Sequence, residues 1–216
     1  MNPIIRLTIV VEGRSEETFV DDVLAPALSE KMIFATPWPV GGISKYSTLR
    51  KFVELGIKQD KESYLSTMFD FYALPKTFPG KNSLSPNLSP WEKVRHLENA
   101  FANEINSARF IPYIQLHEFE GLLFTDINQI DAVLAVGRES QLKELMKIRN
   151  QFQTPEEIND RYETAPSRRL SNLYQKYQKV TEGVRIIEQI GLERLRQACP
   201  HFHEWVTRLE TLVKTD

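Results

Sequence analysis

The sequence predicts an α/β fold, with a sheet rich in parallel strands, helices on its faces and a helical carboxy-terminal part. Three observations lead to this prediction. An apolar, β-branched run near the amino terminus is followed directly by residues with helical spacing. Two later apolar runs, 64–71 and 110–116, each follow a segment with helical spacing, as in units that build parallel sheets. After about residue 120 the apolar residues recur at helical spacing almost throughout.

Length and composition favour a globular protein. The chain has 216 residues, of which 41% are hydrophobic and 26% charged, enough for one sizeable core with additions. No apolar run approaches the roughly 18 residues of a membrane span, and no signal peptide is apparent, so we expect a cytoplasmic protein without a membrane part. The lone Cys199 fits a reducing compartment. The formal net charge is −2, so any contact with nucleic acid requires a local basic patch.

The elements follow in order along the chain. We predict strands at 4–11, 64–69 and 110–115, a short extended segment at 33–40, and helices at 16–28, 47–58 and 90–107. Residues 76–91 are rich in Pro, Ser, Asn and Gly and predict a long loop. Pro112 suits a strand start or an edge strand better than a strand centre. We therefore expect an α/β domain over 1–125, carrying a loop-helix insertion at 73–109, and a helical extension over 126–216.

Acidic residues follow the first two predicted strands. Glu12 and Asp70 lie at strand ends, and ligands of open α/β sheets bind outside the carboxyl ends of the strands. Gly13 permits a sharp turn, after which Glu16 can reach back from the first helical turn. Converging carboxylates repel one another unless a cation neutralises them, and such oxygen ligands suit Mg²⁺ or Mn²⁺. The stretch is typical of half a metal site.

A structural explanation accounts for the same residues. Ser15 is a suitable amino-terminal cap for the helix that follows. Glu16 and Glu17 would then simply complement the dipole of that helix.

A second acidic group follows the third predicted strand. Residues 115–124 read QLHEFEGLLF, which places Glu118 and Glu120 directly after the strand. The two side chains share a face in extended chain but not in a helix, so one of them, rather than both, is expected to complete the site. The alternative is that they are first-turn acids of a helix whose apolar residues, such as Phe119 and Leu122, belong to the core.

A basic stretch lies in the carboxy-terminal part. Residues 164–181 contain no acid and four basic residues: Arg168, Arg169, Lys176 and Lys179. Such cations contact phosphates, and the nearby Tyr174 and Tyr177 are able to stack on unpaired bases. We predict that these four residues, together with Arg14, contact nucleic acid. The alternative is a solvated helix face.

Several sequence blocks together resemble a bacterial family with a Toprim-like domain, the domain of unknown function 4276, whose members are often encoded beside an AAA or ABC-type ATPase. The blocks include VVEGRSEETF, MFDFYALP, HEFEGLLF, APSRRLSNLYQKYQKV and IGLERLRQACPHFHEW. The resemblance implies a Toprim-like fold. It also implies Mg²⁺-dependent phosphodiester chemistry, as in Toprim enzymes and nucleases of the OLD (overcoming lysogenisation defect) type. Carried onto this chain, the metal-holding glutamate is Glu12, its partner is Glu16 and the first aspartate is Asp70.

The chain departs from the Toprim pattern at one position. The usual Asp-x-Asp requires an acid at 72, where this chain has Tyr72. Either Glu118 or Glu120 substitutes, or the site holds a single ion, or the domain is no longer catalytic. Two hypotheses follow. The first is a Mg²⁺- or Mn²⁺-dependent nuclease acting on DNA or RNA, as the effector of a two-gene, ATPase-linked phage-defence system. The second is a catalytically degenerate regulatory or binding subunit of an ATPase complex.

Overall fold

The structure, a computed structural model, describes residues 4–159 and 162–212. Its strands form one parallel sheet flanked by helices, which confirms the predicted fold class. The strands are β1 (Ile5–Val11), β2 (Ile33–Pro39), β3 (Tyr64–Asp70), β4 (Phe110–Ile111) and β5 (Ile114–Gln115). The sheet order is β2-β1-β3-β4, and β5 also pairs with β3.

The helices before residue 110 overlap the predicted helical segments, and those after residue 125 make up most of the carboxy-terminal part. They are α1 (Arg14–Phe19), α2 (Ala25–Ser29), α3 (Tyr46–Gln59), α4 (Pro90–Ile105), α5 (Ile127–Leu134), α6 (Leu142–Arg149), α7 (Pro166–Leu173), α8 (Val184–Ile190), α9 (Leu192–Ala198) and α10 (Pro200–Glu210). A 3₁₀ helix, Phe119–Thr125, follows β5, and a π-helical turn, Lys179–Gly183, precedes α8.

The third predicted strand is interrupted. A single strand over 110–115 was expected, but Pro112 and Tyr113 separate β4 from β5 on the edge of the sheet. Pro112 has no N–H to donate to a ladder. The side chain of Thr67 replaces the missing pairing, since its Oγ1 accepts from Tyr113 N at 3.0 Å and donates to Tyr113 O at 3.1 Å. The prediction of one continuous strand is therefore wrong.

The first helix also differs from its prediction. It begins at Arg14, and its amino-terminal cap is Gly13 rather than Ser15, which is buried. The carboxylate of Glu16 accepts from Gly13 N at 3.2 Å, so it reaches back to the turn as the sequence suggested. A π-helical turn, Val20–Leu24, joins α1 to α2 in place of one continuous helix.

The core lies on both faces of the sheet. Alternate residues of β1 point to opposite faces, with Leu7, Ile9 and Val11 in one apolar cluster and Val10 in the other. The first cluster continues into the carboxy-terminal helices, and the second lies under α3 and α4. The division into domains at residues 125 and 126 stays a prediction. Among the described residues, no helix has the length and apolar character needed to cross a membrane.

Candidate active site at the carboxyl edge of the sheet

Three chain segments meet at one edge of the sheet. Glu12 follows β1, Asp70 is the last residue of β3, and Glu118 and Glu120 come shortly after β5. Because these neighbouring strands are parallel, their carboxyl ends open to the same edge. Phe119 N donates to Asp70 Oδ1 at 2.9 Å, which ties the third segment to the second.

The acids at this edge converge on one ammonium group. Lys179 Nζ lies 3.1 Å from Glu120 Oε2, 3.7 Å from Glu16 Oε1 and 3.8 Å from Asp70 Oδ2. We call Glu12, Glu16, Asp70 and Glu120 the acid cluster. Carboxylates held this close repel one another, and Lys179 supplies an opposing charge. It arrives from the turn that precedes α8, so the carboxy-terminal helices complete the site.

The surroundings alter the protonation of these groups. Burial raises the pKa of Asp70 well above its usual range, against the opposing effect of Lys179. Burial likewise raises the pKa of Glu120 from the usual 4.5 to about 7. For Lys179, burial lowers the pKa, but the Asp70, Glu120 and Glu16 carboxylates together outweigh it and raise the pKa. The ammonium group therefore stays charged at neutral pH.

Some carboxylate oxygens of the acid cluster have no partner. Within residues 4–159 and 162–212, no hydrogen bond reaches the buried Glu12 Oε2 or Glu120 Oε1. Burial, followed by the charge of Glu16, raises the pKa of Glu12. Buried acceptors without donors are uncommon in folded proteins, and oxygen atoms of this kind are the ligands that Mg²⁺ prefers. The donor set therefore fits a hard divalent cation.

Lys179 offsets only part of the negative charge of the acid cluster. Across the described ranges, no three His, Cys, Asp or Glu side chains are arranged so as to hold a metal ion. The ammonium group of Lys179 stands among the carboxylates instead. Metal binding by the acid cluster is thus a proposal, and it requires Lys179 or the carboxylates to shift.

Glu118 and Glu120 have different surroundings. Glu118 Oε2 accepts from Ser167 N at 3.1 Å and from Ser167 Oγ at 2.8 Å, so its carboxylate caps the start of α7. Glu120 is fully buried and contacts Lys179. Glu118 thus supports α7, and Glu120 lies in the acid cluster. A catalytic or metal-binding role of either acid stays a prediction.

The predicted nucleic-acid contacts do not form one group. Arg14, Arg168 and Lys176 are exposed. Arg169 is half-buried, and its Nε donates to a backbone carbonyl at 2.6 Å. Lys179 lies with the acid cluster rather than with the exposed cations. Binding of nucleic acid by Arg14, Arg168, Arg169 and Lys176 stays a prediction.

Tyr72 lies beside the acid cluster. It follows Asp70 by two residues and is 48% exposed. Its ring stacks on that of His117, with centroids 5.5 Å apart and planes at 21°. An aromatic side chain thus takes the position at which the Toprim pattern has an acid.

The fold resembles solved structures of OLD proteins. The C-terminal region of the Burkholderia pseudomallei OLD protein shares 12% identity with this chain, covering 97% of this chain and 100% of that one, with a TM-score of 0.51. The C-terminal region of the Xanthomonas campestris pv. campestris OLD protein shares 16% identity over 94% of this chain and 97% of that one, with a TM-score of 0.48. At such low identity the Burkholderia likeness shows the fold alone, an α/β arrangement of the class that the sequence predicted.

Sequence comparison gives the family. A search of curated proteins found no match. A family model described as "Domain of unknown function (DUF4276)" matches residues 11–210, which is most of the chain. This match includes every member of the acid cluster and Lys179. The chain belongs to the DUF4276 family.

Proposed function

We propose that this protein is a metal-dependent nuclease that hydrolyses phosphodiester bonds at the carboxyl edge of its sheet. The observation that carries the proposal is the convergence of Glu16, Asp70 and Glu120 on Lys179 Nζ. Folding stability does not account for it, because clustered buried carboxylates destabilise one another. Groups with such perturbed pKa values gather at functional sites.

The acid cluster would hold one or two Mg²⁺ or Mn²⁺ ions. When bound, such ions polarise the phosphate, generate a nucleophilic hydroxide from water and stabilise the leaving oxygen. Glu12 and Glu120 offer buried oxygen atoms that have no hydrogen-bond partner among the described residues. Glu118 contributes indirectly, because it fixes the start of α7 through Ser167.

Lys179 has two tasks in this proposal. Without substrate, its ammonium group offsets part of the charge of the acid cluster. With substrate, the same ammonium group binds a phosphate oxygen, since the pKa of Lys179 is raised by its acidic neighbours and the group stays charged.

The partners are proposed from the family resemblance. It supports an AAA or ABC-type ATPase encoded by a neighbouring gene and a role in phage defence. The substrate is DNA or RNA, bound at the carboxyl edge with help from exposed cations such as Arg14 and Arg168.

A second candidate function is a binding or regulatory subunit of an ATPase complex without catalysis. Two observations favour it. Tyr72 replaces an acid of the Toprim pattern, and the ammonium group of Lys179 lies among the carboxylates that would hold the metal.

A cleavage assay separates the two functions. The purified protein is incubated with labelled DNA and RNA, in Mn²⁺ or in EDTA, with and without the neighbouring ATPase. The nuclease proposal expects cleavage in Mn²⁺ that EDTA and the Glu12→Ala substitution abolish. Glu30→Ala is the matched control, because Glu30 is exposed and precedes β2, at the opposite edge of the sheet. Nucleic-acid binding without cleavage under every condition would favour the binding subunit.

A further inference from the structure

A cavity of about 250 Å³ opens beside the acid cluster. Its lining residues are Phe71, Tyr72, Pro90, Lys93, His117 and Asn159. Two of them adjoin the acid cluster in the chain, since Tyr72 follows Asp70 by two residues and His117 precedes Glu120 by three. Two residues of chain span about 7 Å at most, so the backbone of Tyr72 in the cavity wall lies close to the backbone of Asp70.

Asn159 lines this cavity with an unsatisfied amide. The residue is only 4% exposed, and neither Nδ2 nor Oδ1 has a hydrogen-bond partner among the described residues. A buried polar group without a partner costs folding free energy, so its presence in a cavity wall points to a ligand that supplies the partner. Both amide atoms are buried, so the side chain must turn toward the cavity before it offers a donor and an acceptor side by side. That pair matches the adjacent acceptor and donor on the edge of a nucleobase.

Tyr72 and Lys93 complete the chemistry of the cavity. The Tyr72 ring rests on His117 and is almost half exposed, which suits a platform on which a flat aromatic ligand stacks. Lys93 is half-buried at the start of α4 and brings a positive charge to the same wall. A stacking ring, an amide edge and a cation together match a nucleotide better than an apolar or acidic ligand.

We propose that this cavity binds one unpaired nucleobase of the substrate strand, next to the phosphodiester held at the acid cluster. The inference rests on the proposed nuclease function and names its substrate class, a single strand or an extruded nucleotide. A base inside a duplex is stacked on both faces and paired along its edge, so it reaches neither Tyr72 nor Asn159 without leaving the helix.

Binding measurements test this site separately from catalysis. Fluorescence anisotropy with the full chain compares a labelled single strand, a duplex of the same sequence and a single strand carrying abasic positions, each as DNA and as RNA. Ca²⁺ is present, because it also prefers oxygen ligands and occupies such sites. We expect the wild-type protein to bind the single strand roughly tenfold more tightly than the duplex or the abasic strand.

Three variants test whether the preference for the single strand depends on the cavity. Tyr72→Ala should weaken single-strand binding roughly tenfold and leave duplex binding unchanged, while Tyr72→Phe keeps the stacking ring and the wild-type affinity. Asn159→Ala should also weaken single-strand binding and change the preference among the four bases. Thermal unfolding of each variant checks that it folds. The Tyr72 substitutions should allow folding, because Tyr72 is exposed.

The outcomes separate this site from the proposed function. Tyr72→Ala and Asn159→Ala proteins that bind the single strand as tightly as the wild type would overturn the base site, as would a preference for duplex or no binding at all. Cleavage in Mn²⁺ is measured in parallel. Base-dependent binding without cleavage would support the base site and contradict the nuclease proposal. Cleavage together with unchanged affinities of the variants would support the nuclease proposal and contradict the base site.

Discussion

Two groups of buried acids in this protein differ in what their oxygens contact. At the start of α10, Glu156 accepts from the backbone N–H groups of His201 and Phe202, at 3.0 Å each. Glu98 accepts from Ile114 N at 2.8 Å and lies 3.0 Å from His201 Nε2. At the carboxyl edge of the sheet, Glu16 and Asp70 also accept from backbone N–H groups, but there three carboxylates gather around one lysine.

The difference separates structural from functional burial of charge. When a buried carboxylate accepts from backbone N–H groups, these hydrogen bonds offset its desolvation and also satisfy the buried N–H donors. Carboxylates that lie close together raise one another's pKa and reduce stability, and Glu12 and Glu120 also keep oxygens without a hydrogen bond in the described part of the chain. Burial and backbone donors alone therefore do not identify a site, whereas several carboxylates gathered around one lysine do.

The largest effect on stability is expected from Glu156→Ala. The substitution leaves the N–H groups of His201 and Phe202 buried without an acceptor at the start of α10. We expect the free energy of unfolding to fall by about 3 kcal/mol, as measured by urea denaturation. If Glu156→Ala lowers the free energy of unfolding by less than about 1 kcal/mol, Glu156 does not stabilise the fold and the two acid groups do not differ in this respect.

Glu120→Gln should raise the free energy of unfolding, by less than Glu156→Ala lowers it. The pKa of Glu120 is raised from 4.5 to about 7 in the folded chain, so the folded state holds this proton more tightly than the unfolded state. Stability from the protonated form is present below pH 4.5 and is lost as the pH rises through 7. Gln keeps the neutral form, and we expect a gain on the order of 2 kcal/mol at pH 8 and little change at pH 4.

Urea denaturation at the two pH values measures this difference. Glu30→Gln serves as the control, because Glu30 is exposed at the opposite edge of the sheet and its substitution should leave stability unchanged at both pH values. A Glu120→Gln protein that loses stability at pH 8 would show that its contact with Lys179 is structural.

The smallest effect on stability is expected from Arg168→Glu. Arg168 is exposed on α7, so the free energy of unfolding should change by less than about 0.5 kcal/mol. If Arg168 contacts phosphate, the substitution lowers the affinity for nucleic acid severalfold. The slope of log affinity against log salt concentration then becomes shallower by about 1. Lys58→Glu is the control, because Lys58 is exposed at the end of α3, which leads into the amino end of β3. It should leave the affinity for nucleic acid and its salt dependence unchanged. Equal affinities for the two variants would exclude Arg168 from the interface.

The sequence predicted the parts of the site that depend on local pattern. Apolar runs located β1 and β3, and the rule for parallel sheets placed Glu12 and Asp70 at one edge. The choice between Glu118 and Glu120 could not be made, because it depended on a 3₁₀ helix after β5 that neither strand nor α-helix spacing describes. The break at Pro112 depended on a hydrogen bond from another strand.

Lys179 could not be located from the sequence. It follows α7 in an irregular segment, far along the chain from Asp70, and no periodicity or motif relates the two. Only the packing of the carboxy-terminal helices against the sheet brings its ammonium group to the acids. Its basic neighbours instead favoured a solvated binding face, and its contacts with the acids had no signal in the sequence.

Asp70→Asn tests the central claim, that the acid cluster is a catalytic site and not a structural one. The substitution keeps an Oδ1 acceptor for Phe119 N and removes the charge that faces Lys179. We expect Mn²⁺-dependent cleavage of nucleic acid to fall by about 100-fold or more, since even outer residues of metal sites cost about 10- to 100-fold. The free energy of unfolding should stay equal or rise, and Glu30→Gln should change neither. Undiminished cleavage by a folded Asp70→Asn protein, or a loss of stability as large as that of Glu156→Ala, would contradict the account.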